Sequence, residues 1–173
     1  MKILKLTLAG CLVACGLFSC TEDDDDQLNN QDRTFLTQAS ISNTAEINTA
    51  TLASTKATNG AVKAFAMHML MEHSTAQTDL KNLGANVGQT VRDTLDPAHV
   101  TLSAQLSAMS GRAFDSAYIH TQVIDHQATI TFFQNEQANG QHEDVKRYAN
   151  TYLPRIQMHH QRADSIARAF FRR

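Results

Sequence analysis

Tryptophan is missing from this chain of 173 residues, proline occurs only at Pro97 and Pro154, and the three cysteines all fall within the first twenty positions. Each shortage excludes something. With so few prolines, most of the chain is free of the residue that breaks helices most strongly. Beyond Cys20 the domain has no thiol, so disulfides, thiolate nucleophiles and cysteine metal ligands are all ruled out there. No glycine-rich phosphate loop occurs, and no strand-like alternation of apolar and polar residues persists. Ser116 stands beside Asp115 in GRAFDSAY, but nothing around it makes a nucleophile elbow, so the serine-hydrolase template fails. No apolar run after the first twenty residues is long enough to span a bilayer. Neither sign of charge dominates. Of 15 basic and 17 acidic residues, setting aside Lys2, Lys5 and the five acids from Glu22 to Asp26 leaves 13 and 12. A nearly neutral domain has no global field suited to nucleic acid.

What is present begins with an amino-terminal leader. MKILKLTLAGCLVACGLFSC has a basic start and then an apolar run through Phe18, the pattern of a secretory signal. It ends in Leu17-Phe18-Ser19-Cys20, which resembles the lipobox of bacterial lipoproteins, with Cys15 and Cys11 as competing sites. Cys20 is preferred because it leaves the longest apolar stretch and is followed directly by polar chain. The expected division is a signal peptide over 1–19, lipidated Cys20 with an acidic tether over 20–31, and a helical domain over 32–173. Acyl chains contribute about 0.8 kcal/mol per buried CH₂, so the expected partner is a membrane, reached through the lipid on Cys20. TEDDDD is either a solvated linker or resembles a signal for export to the outer face. The expected location is the outer membrane of the cell envelope, on either face, or otherwise the periplasm.

The remainder reads as four long helices. The first is expected from about Asp32, as cap, to Ala57, with Asn59-Gly60 as its stop; the second from about Ala61 to Gly84. The second carries the seam Val62, Ala66, Met69, His73, Ala76, Leu80, Leu83, whose steps of four and three suit helix-on-helix packing. Residues 84–111 form a long connection, in which Asp96-Pro97 caps a short helix bearing Leu102, Leu106 and Met109. The third long helix is expected from about Arg112 to Asn139, and the fourth from about His142 to the end, with a bend at Pro154. Two tight hairpins joined by one long connection is the ferritin-like pattern of four-helix bundle, and an up-down-up-down bundle is the alternative. The fold class expected is therefore all-α. No internal repeat is visible in the sequence.

The seams are not purely apolar. On the first helix Asn43 and Glu46 share the side of Leu36, Ala39, Ala50 and Ala53. His73, His126 and His159 sit on the seams of the other three. Each lies near the middle of its helix, where antiparallel helices share a level. An unpartnered polar group in a dry core costs about 1–3 kcal/mol, and a shared cation would satisfy all four. Three histidines and a carboxylate suit one tetrahedral zinc; two histidines and a carboxylate with open positions suit iron(II). A di-iron centre is disfavoured, since Glu-x-x-His occurs nowhere in the chain. Glu72, Asp125, Tyr118 and Tyr152 are the candidates for supporting roles around the ligands. The bland alternative is that each histidine is simply hydrogen-bonded in the core. His68, His99, His120, His142 and His160 fall off the seams and read as solvated surface, and Met67, Met69 and Met71 as core filling.

Three stretches, AVKAFAMHMLMEHSTAQTDL, GRAFDSAYIHTQVIDHQATITFF and YLPRIQMHHQRAD, carry a resemblance. Phe65-Ala66, Met69 and Glu72-His73, then Phe114-Asp115, Tyr118 and Asp125-His126, then Leu153-Pro154 and His159 are similar to the signature of a bacterial domain-of-unknown-function family. DRTFL and Glu46 fit its first helix. That resemblance implies an exported or outer-membrane protein with a ferritin-like helical bundle, and no established reaction. The expectation is a lipid-anchored envelope protein with a binding or structural role and no catalytic residue. The alternatives are a bundle binding zinc or iron through Glu46, His73, His126 and His159, and a pH sensor built on buried histidines.

Overall fold

The first three helix starts are set by short polar side chains, one of them not where spacing alone puts it. The computed structural model describes residues 27–171, so the leader and Cys20 lie outside the described residues. Helix α1 (Asn30–Lys56) is capped by Asn29, not Asp32. Asn29 accepts from the Asp32 backbone N–H at 2.8 Å, and the Asp32 carboxylate accepts the Asn29 N–H at 2.7 Å. This reciprocal box satisfies two donors that have no partner inside the helix. Asn59, expected to help end the first helix, instead caps α2 (Gly60–Asn86) by accepting from Ala61 and Val62. Helix α3 (Pro97–Ala108) opens on Pro97, with Asp96 accepting from His99. Helices α4 (Gly111–Asn139) and α5 (Glu143–Phe171) complete the chain, and α5 runs through Pro154, whose ring is exposed. The described residues are all-helical, with no strand among them. None of these helices is long and apolar enough to cross a membrane.

Helix α1 packs mainly on α2 and α4 on α5; α1 against α4 and α2 against α5 complete the packing, while α3 leans on α1 and α4. The directions follow from what the ends touch. Asp32, at the start of α1, accepts from the backbone of Gln141 and His142 in the α4–α5 turn. Asp115, at the start of α4, accepts from Thr58 and Asn59 in the α1–α2 turn. Hence α2 and α4 run the same way, and residues 87–110 must travel the length of the bundle between them. The up-down-up-down alternative is excluded by that crossing. Gly84 allows the crossing segment to fold back closely, for a Cβ there would lie 2.5 Å from Val91 Cγ2.

The two hairpins are related, although no repeat was visible in the sequence. A shift of 83 positions, the step from Asp32 to Asp115, pairs buried residue with buried residue. Phe35 falls on Tyr118, Leu36 on Ile119, Asn43 on His126, Val62 on Val145 and Met69 on Tyr152. Burial repeats more consistently than identity, which is kept at Asp32/Asp115 and Val62/Val145.

The apolar core is split in two. One cluster gathers Phe35, Leu80, Phe133 and Val145 near the α4–α5 turn. The other gathers Val62, Phe65, Met69, Phe114 and Ile119 near the α1–α2 turn. Between them lies a layer of buried polar side chains, Asn43, Glu46, His73, Gln77, Gln122, His126 and His159, all at most 6 % exposed.

Candidate metal centre

Helical spacing delivers three imidazoles to this layer from three different helices. His73 comes from α2, His126 from α4 and His159 from α5. Their ring centroids are 5.7 Å (His73–His126), 5.6 Å (His73–His159) and 5.5 Å (His126–His159) apart. One ring nitrogen from each lies within 4.8 Å of the other two. A tetrahedral zinc with N–Zn of about 2.0–2.1 Å would draw such donors to roughly 3.4 Å. The triad does not obey the 83-residue relation: the partners of His126, His73 and His159 under that shift are Asn43, Ile156 and Ala76.

Hydrogen bonding decides which nitrogens are available. His126 Nδ1–H donates to the Gln122 carbonyl at 2.9 Å, leaving Nε2 buried with no partner. His73 Nδ1 is 3.0 Å from Asn43 Oδ1. Asn43 uses its amide hydrogens on Gln77 Oε1 at 3.4 Å and the Tyr148 hydroxyl at 3.2 Å. Its Oδ1 is therefore the acceptor, His73 carries its proton on Nδ1, and its unpartnered Nε2 holds the lone pair. Two ring orientations and tautomers are thus fixed from behind, as at metal-ligating histidines generally. Neither nitrogen of His159 has a partner. Burial keeps all three rings neutral. It lowers His126 to about 4 and His159 to about 3, and it holds His73 well below the ordinary range; His126 further opposes charge on both other rings, and His159 opposes it on His73. Neutral rings with bare lone pairs are the form that binds a cation.

Glu46 is not in the mutually close set. Its Oε1 lies 3.8 Å from His126 Nδ1, the nitrogen already committed to Gln122, and its Oε2 accepts from Gln122 Nε2 at 2.8 Å. Burial pushes its carboxyl up to about 7. It stands behind His126 and not among the triad's lone pairs, because α1 presents Asn43, one turn earlier, to His73.

Of the four expected supporting residues, Glu72 and Tyr152 line a cavity beside the triad, and Tyr118 and Asp125 do not. Tyr118 is wholly buried, its hydroxyl unpartnered, and burial together with nearby Glu46 raises it well above its usual range. Asp125 is half-buried and is raised to about 6 by burial and then by Glu46. Glu72 faces Arg155 at 3.3 Å and Tyr152 donates to Asp79 at 2.5 Å, and both line the cavity beside His73 and His159. The residues contacting the ligand rings from behind are instead Asn43 and Gln122. Gln122, four residues before His126, was detectable as a seam position between Ile119 and His126.

Several surface assignments also change. His142 is buried, His68, His99 and His160 are half-buried, and only His120 is exposed. Of the three neighbouring methionines, Met69 alone is core; Met67 and Met71 face solvent, since positions two residues away lie on the opposite side of the helix. A cavity of about 20 Å³ adjoins the triad, lined by His73 and His159 together with Asn43, Tyr148, Tyr152 and Arg155. That is room for one water-sized molecule.

Comparison with known proteins adds the family. The family model DUF4142, a domain of unknown function, matches residues 19–166. The fold is similar to that in the crystal structure of a DUF305 fragment from Deinococcus radiodurans, with a TM-score of 0.72 at 11% identity, over 82% of this chain and 97% of that one. Such a likeness speaks for fold alone. No curated protein matches the chain.

Proposed function

For a chain that belongs to the DUF4142 family, a domain of unknown function, we propose that the protein binds one divalent transition-metal ion through His73, His126 and His159. The observation that carries this reading is the set of buried, neutral imidazoles whose unpartnered nitrogens converge. A dry core tolerates such groups badly: each unpartnered polar atom costs about 1–3 kcal/mol. If each histidine were merely hydrogen-bonded in the core, His73 and His126 would have partners at Nε2 and His159 at either nitrogen. They have none. A cation shared by the three would remove the cost at a stroke.

The donor set favours zinc. Three neutral imidazoles with a fourth position open are a recognised zinc arrangement. Iron(II) would ask for a carboxylate beside two histidines, and Glu46 faces the wrong nitrogen. The small cavity at His73 and His159 supports an exchangeable fourth ligand, the mark of a site that does more than hold the fold. Around it, Asn43 and Gln122 orient the rings, and the two apolar clusters keep bulk water out.

The finer architectural and cellular readings belong to the same proposal. Two hairpins and one length-spanning crossover support a bundle of the ferritin-like type. The lipobox ending at Cys20 supports a lipid-anchored protein of the cell envelope, with the membrane as its partner and the outer membrane as its address.

The test is elemental analysis of the full chain purified without a histidine tag. Near one zinc per chain is expected in the wild type, and little in His73→Ala, His126→Ala or His159→Ala. Wild-type protein that stays metal-free after incubation with zinc, copper and iron(II) salts removes the proposal.

A further inference from the structure

The three ligand rings are not equivalent. His73 and His126 each have one nitrogen tied down from behind, whereas both nitrogens of His159 are buried and unpartnered. Only one of the two can face the ion shared with His73 and His126. The ring packed against His159 from outside the triad is another imidazole, His68. It meets His159 edge-on at 86° with centroids 5.4 Å apart, as close as any pair within the triad. His68 precedes His73 by five positions on α2, a rotation of about 140°, so it leaves the inner seam and turns toward the margin of the helix. There it is half-buried, with one side toward solvent. The imidazoles thus form a row from the surface inward: His68, His159, then His73 with His126.

Resting on the reading of the triad as a cation site, we infer that His68 and the second nitrogen of His159 form an outer docking position for the incoming divalent ion, which is then handed to the triad. Nothing is oxidised or reduced: imidazole nitrogens replace water ligands of the cation in turn, and the water returns to solvent. His68 is not a resident ligand, because it does not belong to the set of nitrogens within 4.8 Å of one another. The other approach, through the cavity beside His73 and His159, is bordered by the Arg155 guanidinium, which stacks over Tyr152 and faces Glu72. That ion pair closes the mouth of a space with room for one water-sized molecule, which suits a small fourth ligand.

A transfer ligand that is absent from the final complex changes the rates of loading and release equally and leaves the affinity alone. Zinc uptake by the metal-free full chain is therefore followed by stopped flow, and zinc loss is followed into a chromophoric chelator. Wild type is compared with His68→Ala and His68→Gln. Both variants are expected to take up one zinc per chain with wild-type affinity, while association and dissociation each slow by about tenfold, a barrier change of about 1.4 kcal/mol. Unchanged rates overturn the inference. So does a weakened affinity, which would make His68 a resident ligand. If the wild type itself takes up no zinc, the triad reading fails first, so the two failures are told apart.

Discussion

His126 shows what a single buried imidazole does to the chemistry of the whole chain. Burial holds it at about 4 and His159 at about 3, against 6.5 for a free ring. Below about pH 6.5 the unfolded chain therefore takes up protons that the folded chain refuses, and stability falls as pH is lowered toward 3–4. Glu46 works in the opposite direction. Raised from 4.5 to about 7, it keeps its proton in the folded state between those values and offsets part of the loss. His126→Gln removes one of the opposing rings, so the acid side of a melting-temperature profile should become shallower than in wild type. An equally steep acid side would show that this ring does not govern it. His126, His73 and His159 were visible as interruptions of apolar seams. His68 was not, because a ring off the seam looks like surface until a second helix packs beside it.

Between elements, two buried aspartates hold the hairpins together. Asp115 accepts three hydrogen bonds from Thr58 and Asn59 across 56 and 57 positions of sequence. Asp115→Ala leaves those donors without an acceptor and is expected to lower stability by about 3 kcal/mol, read by urea unfolding. Asp115→Asn, which keeps one acceptor oxygen, should fall between the two. A loss within about 0.5 kcal/mol for the alanine variant would show the turn to be held otherwise. Helix lengths and the short helix after Asp96-Pro97 were legible, since they depend on local spacing and caps. The partners of Asp32 and Asp115 were not: Asp32 read as a simple cap, and Asp115 as the neighbour of Ser116 and a member of the family signature. The relation between the two hairpins stayed hidden for a similar reason, because burial is kept across the shift while side-chain identity is kept at scattered positions such as Asp32/Asp115 and Val62/Val145.

The molecule as a whole is two apolar clusters with a polar layer between them, an arrangement that leaves part of its stability to whatever fills that layer. A ligand bound only by the folded state adds about 2.7 kcal/mol at a hundredfold excess over its dissociation constant. For a domain of this size that corresponds to a rise in melting temperature of roughly 5–10 °C. Zinc should raise the transition of the wild type by that amount and leave His73→Ala and His159→Ala in place. Equal shifts in all three proteins would place the zinc elsewhere.

The helical class, the positions of the long helices, the short helix in the crossover and the four polar interruptions of their seams all follow from the order of residues. These are local matters: a 3.6-residue repeat, a cap or a proline acts within a few neighbours. Which interruptions meet depends on how the helices pack. That packing brought His73, His126 and His159 together and placed Glu46 behind His126. It also set Asn43 and Gln122 at the ring nitrogens and seated His68 against His159. The reason is geometric, since a shift of one helix along its neighbour by a single residue, about 1.5 Å, is silent in the sequence yet far exceeds the roughly 0.2 Å tolerance of a coordination bond.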